Sequence, residues 1–166
     1  MNKRDDCVDL LVLFRQDDID SESLNLIGLI KQHECKFEEA IKCFLDAIKL
    51  DSSCDEYYYN CASTYFKLGD SQQAKKYYNV AISISPDNQN YHFALANLYY
   101  SEKQYKRAME ELAYDFYEAK LLKAIILYDS GYLALSKKEL EELALEQPDN
   151  ELMLEYKKRI DEELSL

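Results

Sequence analysis

The stretch DEYYYNCASTYFKLGDSQQAKKYYNVAISISP, residues 55–86, decides the fold. Tyr58, Cys61, Ala62 and Tyr65 recur at the spacing that places side chains on one face of a helix. Gly69 ends that helix and Asp70 is placed to cap a second one. Ala74, Tyr78 and Ala81 repeat the same period, and Pro86 stands where a helix cannot continue. The stretch is therefore a helical hairpin. Working outward, the same residue kinds return 34 positions away. Gly28, Ala40, Phe44 and Ala47 precede Ala62, Ala74, Tyr78 and Ala81 by that offset, and Leu95, Ala96, Tyr99, Ala108 and Leu112 follow Cys61, Ala62, Tyr65, Ala74 and Tyr78 by it. A weaker fourth copy holds Ala124, Leu127, Gly131, Leu140, Leu143 and Pro148.

The physical logic of such a period is close packing. Gly28, Ala62 and Ala96 on first helices, with Ala40, Ala74 and Ala108 on second helices, let the two arms of a hairpin approach. Phe44, Tyr65, Tyr78 and Tyr99 then fill the space between hairpins. One hairpin cannot bury its apolar face alone, so neighbours must stack. Helix pairs are expected over residues 22–34 and 38–50, 55–68 and 71–84, 89–101 and 105–114, and 116–130 and 133–146. The third copy runs only 28 residues, from Gln89 to Phe116, so its second helix must lose more than a turn. Asp115 and Glu118 there form a capping-box pattern. One continuous helix is the alternative, since no Gly or Pro lies between 105 and 130. Asp149 opens a last helix with the apolar stripe Leu152, Met153, Tyr156, Ile160 and Leu164, as a closing cap requires. Val8, Leu10, Leu11, Leu13 and Phe14 fit a helix covering the other end.

Composition supports an ordered globular chain. Of 166 residues, 48% are hydrophobic and 31% charged, with three Gly and two Pro. Turn formers so scarce imply helices joined by short loops. The formal net charge of −12 repels phosphate backbones and anionic membranes, so neither nucleic acid nor a membrane surface is expected as partner. Cys7, Cys35, Cys43, Cys54 and Cys61 are odd in number and lack C-x-x-C spacing, which predicts free thiols, a reducing cytoplasmic setting and no metal. No segment has the length or apolarity of a signal peptide or membrane span.

Catalytic constellations are missing from the pattern. The two histidines, His33 and His92, have no orienting partners implied by spacing. No phosphate-cradling Gly-rich loop and no H-E-x-x-H occur. The expectation is a non-enzyme without a cofactor.

These residues resemble the tetratricopeptide repeat. In the second copy Tyr58, Cys61, Ala62, Tyr65, Ala74, Tyr78, Ala81 and Pro86 all sit where that family places its residues. The first copy departs at Lys31 and Ser52, the fourth at Lys120, Lys123 and Ser136. The resemblance implies an all-α fold, a right-handed superhelical α-solenoid of helix-turn-helix repeats with N- and C-terminal capping helices. The resemblance covers Ser21 to Pro148 and gives repeats at 21–54, 55–88, 89–116 (shortened) and 117–148 (divergent); the apolar stripes before and after it are expected as a cap at 1–20 and a cap at 149–166.

The resemblance also implies a concave groove lined by the first helix of each hairpin. Carried over residue by residue, that face holds Asn25, Leu29 and His33; Tyr59, Asn60, Ser63, Phe66 and Lys67; Asn90, Phe93, Asn97 and Tyr100; and Leu121, Ile125 and Tyr128. Asn side chains can pair with a peptide backbone without reading its sequence, and Tyr and Phe supply rigid contact area. The two-carboxylate clamp of heat-shock-chaperone binders is not matched, because only Asn60 of five clamp places agrees. Asn25, Leu29, Asn90 and Ala94 replace the others. The expected function is a scaffold or adaptor holding an extended or helical protein segment, basic or apolar, in that groove. The alternatives are a homo-oligomer, a regulatory repeat segment of a larger enzyme, and a chaperone like the small repeat chaperones of secretion systems.

Overall fold

The computed structural model describes residues 19–165, and among these it holds nine α-helices and no strand. They are α1 (Ser21–His33), α2 (Phe37–Leu50), α3 (Asp55–Leu68), α4 (Ser71–Ile84), α5 (Gln89–Ser101), α6 (Tyr105–Glu111), α7 (Tyr117–Asp129), α8 (Leu133–Glu146) and α9 (Glu151–Leu164). This is an all-α helical repeat solenoid. The helices fall into two compact units, the first closing at Asp87 and the second opening at Asn88. The segment Val8–Phe14, expected to cover one end, and Cys7 lie outside the described residues.

In the first unit the ends of the helices follow local chemistry. Asp20 accepts a hydrogen bond from the Ser23 amide at 2.7 Å, so its carboxylate caps α1. Hydrogen bonds from Ser23 hold the Asp20 carboxyl below its ordinary range. Asp70 caps α4 in the same way, accepting from the Gln73 amide at 3.0 Å. Gly69 ends α3 with φ 91°, a left-handed conformation that a Cβ disfavours. The hairpin interior is as tight as the small residues imply. A Cβ on Gly28 would lie 2.5 Å from the Phe44 ring. Ala40, Phe44, Ala47, Ala62, Ala74 and Ala81 are all fully buried. Phe44 joins Ala40, Ile41 and Cys61 in one cluster, flanked by Leu29, Tyr65 and Tyr77. Burial pushes the Cys61 thiol up to about 12, which keeps it protonated and inert. Among the described cysteines, Cys35, Cys43, Cys54 and Cys61 are free.

The second unit is built around the short helix. α6 spans seven residues against fourteen in α2 and α4, and stops at Glu111 rather than at the expected 114. Two helices, not one, occupy residues 105–129. The expected capping box is absent. Phe116 is the N-cap of α7 and makes no side-chain cap bond. Its ring instead meets Phe93 edge-on at 5.4 Å, which sets how the chain enters α7. Asp115 turns outward to Lys120, 3.3 Å away. Where the missing turns would lie, residues 112–115 border a cleft of about 420 Å3 shared with α7 and α8. Lys120 and Lys123, which replace apolar residues there, pair with Glu146 at 2.9 Å and Glu139 at 3.5 Å. Ser136, in place of the usual Ala, is fully buried because its hydroxyl donates to the Ala124 carbonyl at 2.7 Å.

Two further corrections concern the last helix. Asn150, not Asp149, caps α9, accepting from the Met153 amide at 3.0 Å. Met153 and Ile160 are fully buried against α7 and α8 residues, but Leu152 and Leu164 stay 45% and 52% exposed. The buried stripe is thus narrower than the expected one. Tyr156 contributes through its edge-on contact with Tyr128 at 5.3 Å.

Candidate protein-interaction face

In the first unit the first helices of successive hairpins, α1 and α3, are tied by side chains. Asn60 donates from Nδ2 to Asn25 Oδ1 at 2.9 Å. Both amides also reach Glu56 Oε1, Asn25 at 3.3 Å and Asn60 at 3.5 Å. One turn further on, Gln32 donates to the Thr64 hydroxyl at 2.6 Å and accepts from Lys67 Nζ at 3.0 Å. Thr64 in turn donates to the Asn60 carbonyl at 2.7 Å. The result is a polar ladder running along the seam.

The ladder changes the standing of two residues read as groove amides. Asn25 is 4% exposed and Asn60 8%, and their donors and acceptors are turned on one another. They hold the unit together, so they are not free to meet an incoming backbone. Leu29 is half-buried against the Phe44 cluster. Four residues remain in line on α3. Tyr59 is half-buried, its ring 5.8 Å from that of Tyr78. Ser63 and Phe66 are half-exposed, and Lys67 is exposed. His33 is exposed at the end of α1.

In the second unit Asn90 is exposed at the start of α5, and Phe93, Asn97 and Tyr100 are half-exposed along it. Asn97 donates to the Phe93 carbonyl of its own helix at 3.0 Å. The Tyr100 hydroxyl donates to Asp129 at 2.7 Å, and that of Tyr128 to Glu163. Burial and the Asp129 carboxylate both push the Tyr100 phenol up, so it stays a donor. Leu121 and Ile125 are 8% and 6% exposed and belong to the core cluster under α8 and α9. Burial removes them from any contact set. Their α7 spacing looked like an open stripe because the sequence does not show that α9 folds over it.

Sequence reasoning missed the ladder partners Glu56, Gln32 and Thr64, and the carboxylates Asp129 and Glu163. Glu56 and Asn60 are four apart on one helix face, which is a readable hint. The pairings between helices, 31 to 35 residues apart, leave no such signal. Among the described residues no group of three His, Cys, Asp or Glu could hold a metal ion. Among them, too, no helix is long and apolar enough to cross a membrane.

The repeats are matched by known families. A model described as "Tetratricopeptide repeat" matches residues 55–88, and one described as "TPR repeat" matches residues 36–69. Residues 36–88 are thus tetratricopeptide repeats. No curated protein matches it in sequence. Among solved structures, a tetratricopeptide repeat protein from Parabacteroides merdae superposes with a TM-score of 0.78 at 21% identity, over 87% of this chain and 59% of that one. The chain thus spans little more than half the length of that protein. YrrB, a TPR protein with an unusual peptide-binding site, gives 0.70 at 18% identity, over 85% of this chain and 76% of that one. A chain of the APC/C hetero-tetramer Cut9–Hcn1 gives 0.74 at 14%, over 85% of this chain and 30% of that one. At such identities the likeness is one of fold. The tetratricopeptide repeats make this chain a protein-interaction repeat scaffold.

Proposed function

We propose that the chain is a cytoplasmic, non-enzymatic adaptor that holds an extended or helical segment of another protein against the first-helix face of its repeats. In this reading residues 21–54, 55–88, 89–116 and 117–148 are four repeats, and 149–166 closes the array. One observation carries the proposal. Tyr59, Ser63, Phe66 and Lys67 form a single line on α3, aromatic and incompletely buried, beside a ladder that already holds α1 and α3 rigid. Rigid aromatic side chains on a fixed helix lose little entropy on binding. The second unit offers its own patch in Asn90, Phe93, Asn97 and Tyr100 of α5, with Tyr128 of α7 bonded to Glu163 of α9. YrrB supports the reading by analogy, since its fold carries a peptide-binding site. With a net charge of −12, the favoured segment is basic or apolar.

Peptides selected from a random display library against the full chain test this. Tyr59→Ala with Phe66→Ala should weaken a selected peptide by more than about tenfold, roughly 1.4 kcal/mol. The exposed outer pair Gln72→Ala with Lys106→Ala should leave it unchanged. Circular dichroism checks that both variants stay folded. Association of a Lys- or Arg-bearing peptide should slow as salt is raised. Equal weakening by the two pairs would move binding off this face.

A further inference from the structure

The shortening of α6 leaves a place in the repeat unfilled. The register of 34 carries Ala47 of α2 to Ala81 of α4 and on to Asp115. Ala47 and Ala81 are 0% exposed, whereas the Asp115 side chain is 91% exposed and lies past the end of α6. The cleft of about 420 Å3 opens at this place. Buried Leu112, Ala119 and Leu143 form its floor, and Tyr114 lines it beside them. Its rim carries four carboxylates, Asp115, Glu139, Glu142 and Glu146, against the two ammonium groups of Lys120 and Lys123. Both lysines are already held. Lys120 meets Asp115 at 3.3 Å and Glu146 at 2.9 Å, and Lys123 meets Glu139 at 3.5 Å. Glu142 meets Lys138 at 3.8 Å, an exposed contact worth little in water. A carboxylate accepts several hydrogen bonds, so Glu139, Glu142 and Glu146 keep acceptors to spare. Their spacing of three and four puts them on one face of α8.

We propose that this cleft is a second docking site, which takes an arginine side chain from a segment of another protein. The floor and the rim ask for different things, and arginine supplies both. Its apolar stem covers Leu112, Ala119 and Leu143, and its planar fork meets two carboxylates of α8. The guanidinium also stacks on an aromatic ring such as that of Tyr114, which the compact lysine head does less well. Acidic segments are repelled by the excess of carboxylates on the rim and by the net charge of −12. A volume of this size matches sites that enclose a small ligand, and so one side chain with its flanking backbone. The cleft shares no residue with the face of Tyr59, Phe66, Phe93 and Tyr100, so the two sites are tested separately.

Amide NMR on the full chain tests it with the blocked tripeptide acetyl-Ala-Arg-Ala-amide and its citrulline counterpart, which keeps the shape and loses the charge. The arginine peptide should shift amides of residues 112–115, 119–123 and 139–146 in a saturable way. The citrulline peptide should bind about tenfold more weakly or worse. Glu139→Gln with Glu142→Gln should bring the arginine peptide down to the citrulline level, and Gln keeps α8 helical. Ala113→Trp, at an exposed place on the wall, should fill the cleft and abolish binding. Unchanged amide shifts away from the cleft show that both variants stay folded. Tyr59→Ala with Phe66→Ala should leave the tripeptide unaffected. Equal binding of the citrulline or the lysine counterpart overturns the assignment to arginine. No shift at the cleft, shifts scattered over the acidic surface, or binding that survives both cleft variants overturns the site. Preference for acetyl-Ala-Glu-Ala-amide would give recognition to Lys120 and Lys123 and overturn the proposal as well.

Discussion

The same seam is built in two ways in the two units. Between α1 and α3 it is polar, with Asn60 and Thr64 pairing with Asn25 and Gln32. At the corresponding register in α7 it is apolar, with Leu122 and Ile126 packed on Ala96, Ala108 and Leu112. Position in the repeat does not require one chemistry; it requires burial with every polar group matched. The two solutions differ in what they specify. A buried amide pair has one good geometry and fixes the stagger of the helices, whereas apolar side chains tolerate small slides. The unit with the full-length second helices has the directional seam. The unit with the seven-residue α6 uses apolar area instead, and adds α9 over Leu121 and Ile125.

The largest way to break this contrast is to move the polar solution into the apolar seam. Leu122→Asn removes a buried side chain and leaves an amide without a partner, at a cost of about 3 kcal/mol or more. Urea or thermal unfolding would show it. A shift below about 1 kcal/mol would mean that the α7 seam is looser than its 6% exposure indicates.

The reverse move sharpens the contrast. Asn60→Leu strands Asn25 with an unpaired buried carbonyl and should cost about 1–3 kcal/mol. Asn25→Leu with Asn60→Leu removes both partners and should recover most of that loss, because an apolar pair is what α7 already uses. If the double variant is as unstable as the two single losses summed, then the two amides contribute independently and the ladder is not a replaceable pair.

This seam also marks where sequence reading stops. The hairpins were legible because Gly28, Ala62, Ala74 and their copies carry a strict period, and close approach admits only small side chains. The turn at Gly69 and the cap at Asp70 were legible because their chemistry is local. Asn25 and Asn60 were not. An Asn on the open side of a helix reads the same whether its amide meets a ligand or another Asn from a helix 35 residues away. Phe116 displaced Asp115 at the start of α7 for a similar reason, since its partner Phe93 is distant in sequence. The candidate site was half legible. Tyr59, Ser63, Phe66 and Lys67 remain a surface line, while Ile125 is covered by an element that no local pattern places there.

The smallest effect compares the four hairpin turns. One or two residues past each first helix the chain adopts a left-handed conformation, with φ 59° at Cys35, 91° at Gly69, 59° at Lys103 and 82° at Gly131. Each unit therefore has one turn made by Gly and one made by a residue with a Cβ. That conformation costs an ordinary L-residue about 1 kcal/mol, because its Cβ crowds the following carbonyl. Gly pays no such penalty but loses more freedom on folding. Lys103 is exposed, so its side chain has little packing to lose. Lys103→Gly should then stabilise the chain by about 0.5–1 kcal/mol, and Lys103→Ala should leave it near the parent. A matched rise in Tm for Cys35→Gly would show that the two turns carry equal strain. A fall for Lys103→Gly would mean that the lysine makes an interaction that outweighs the strain of its backbone.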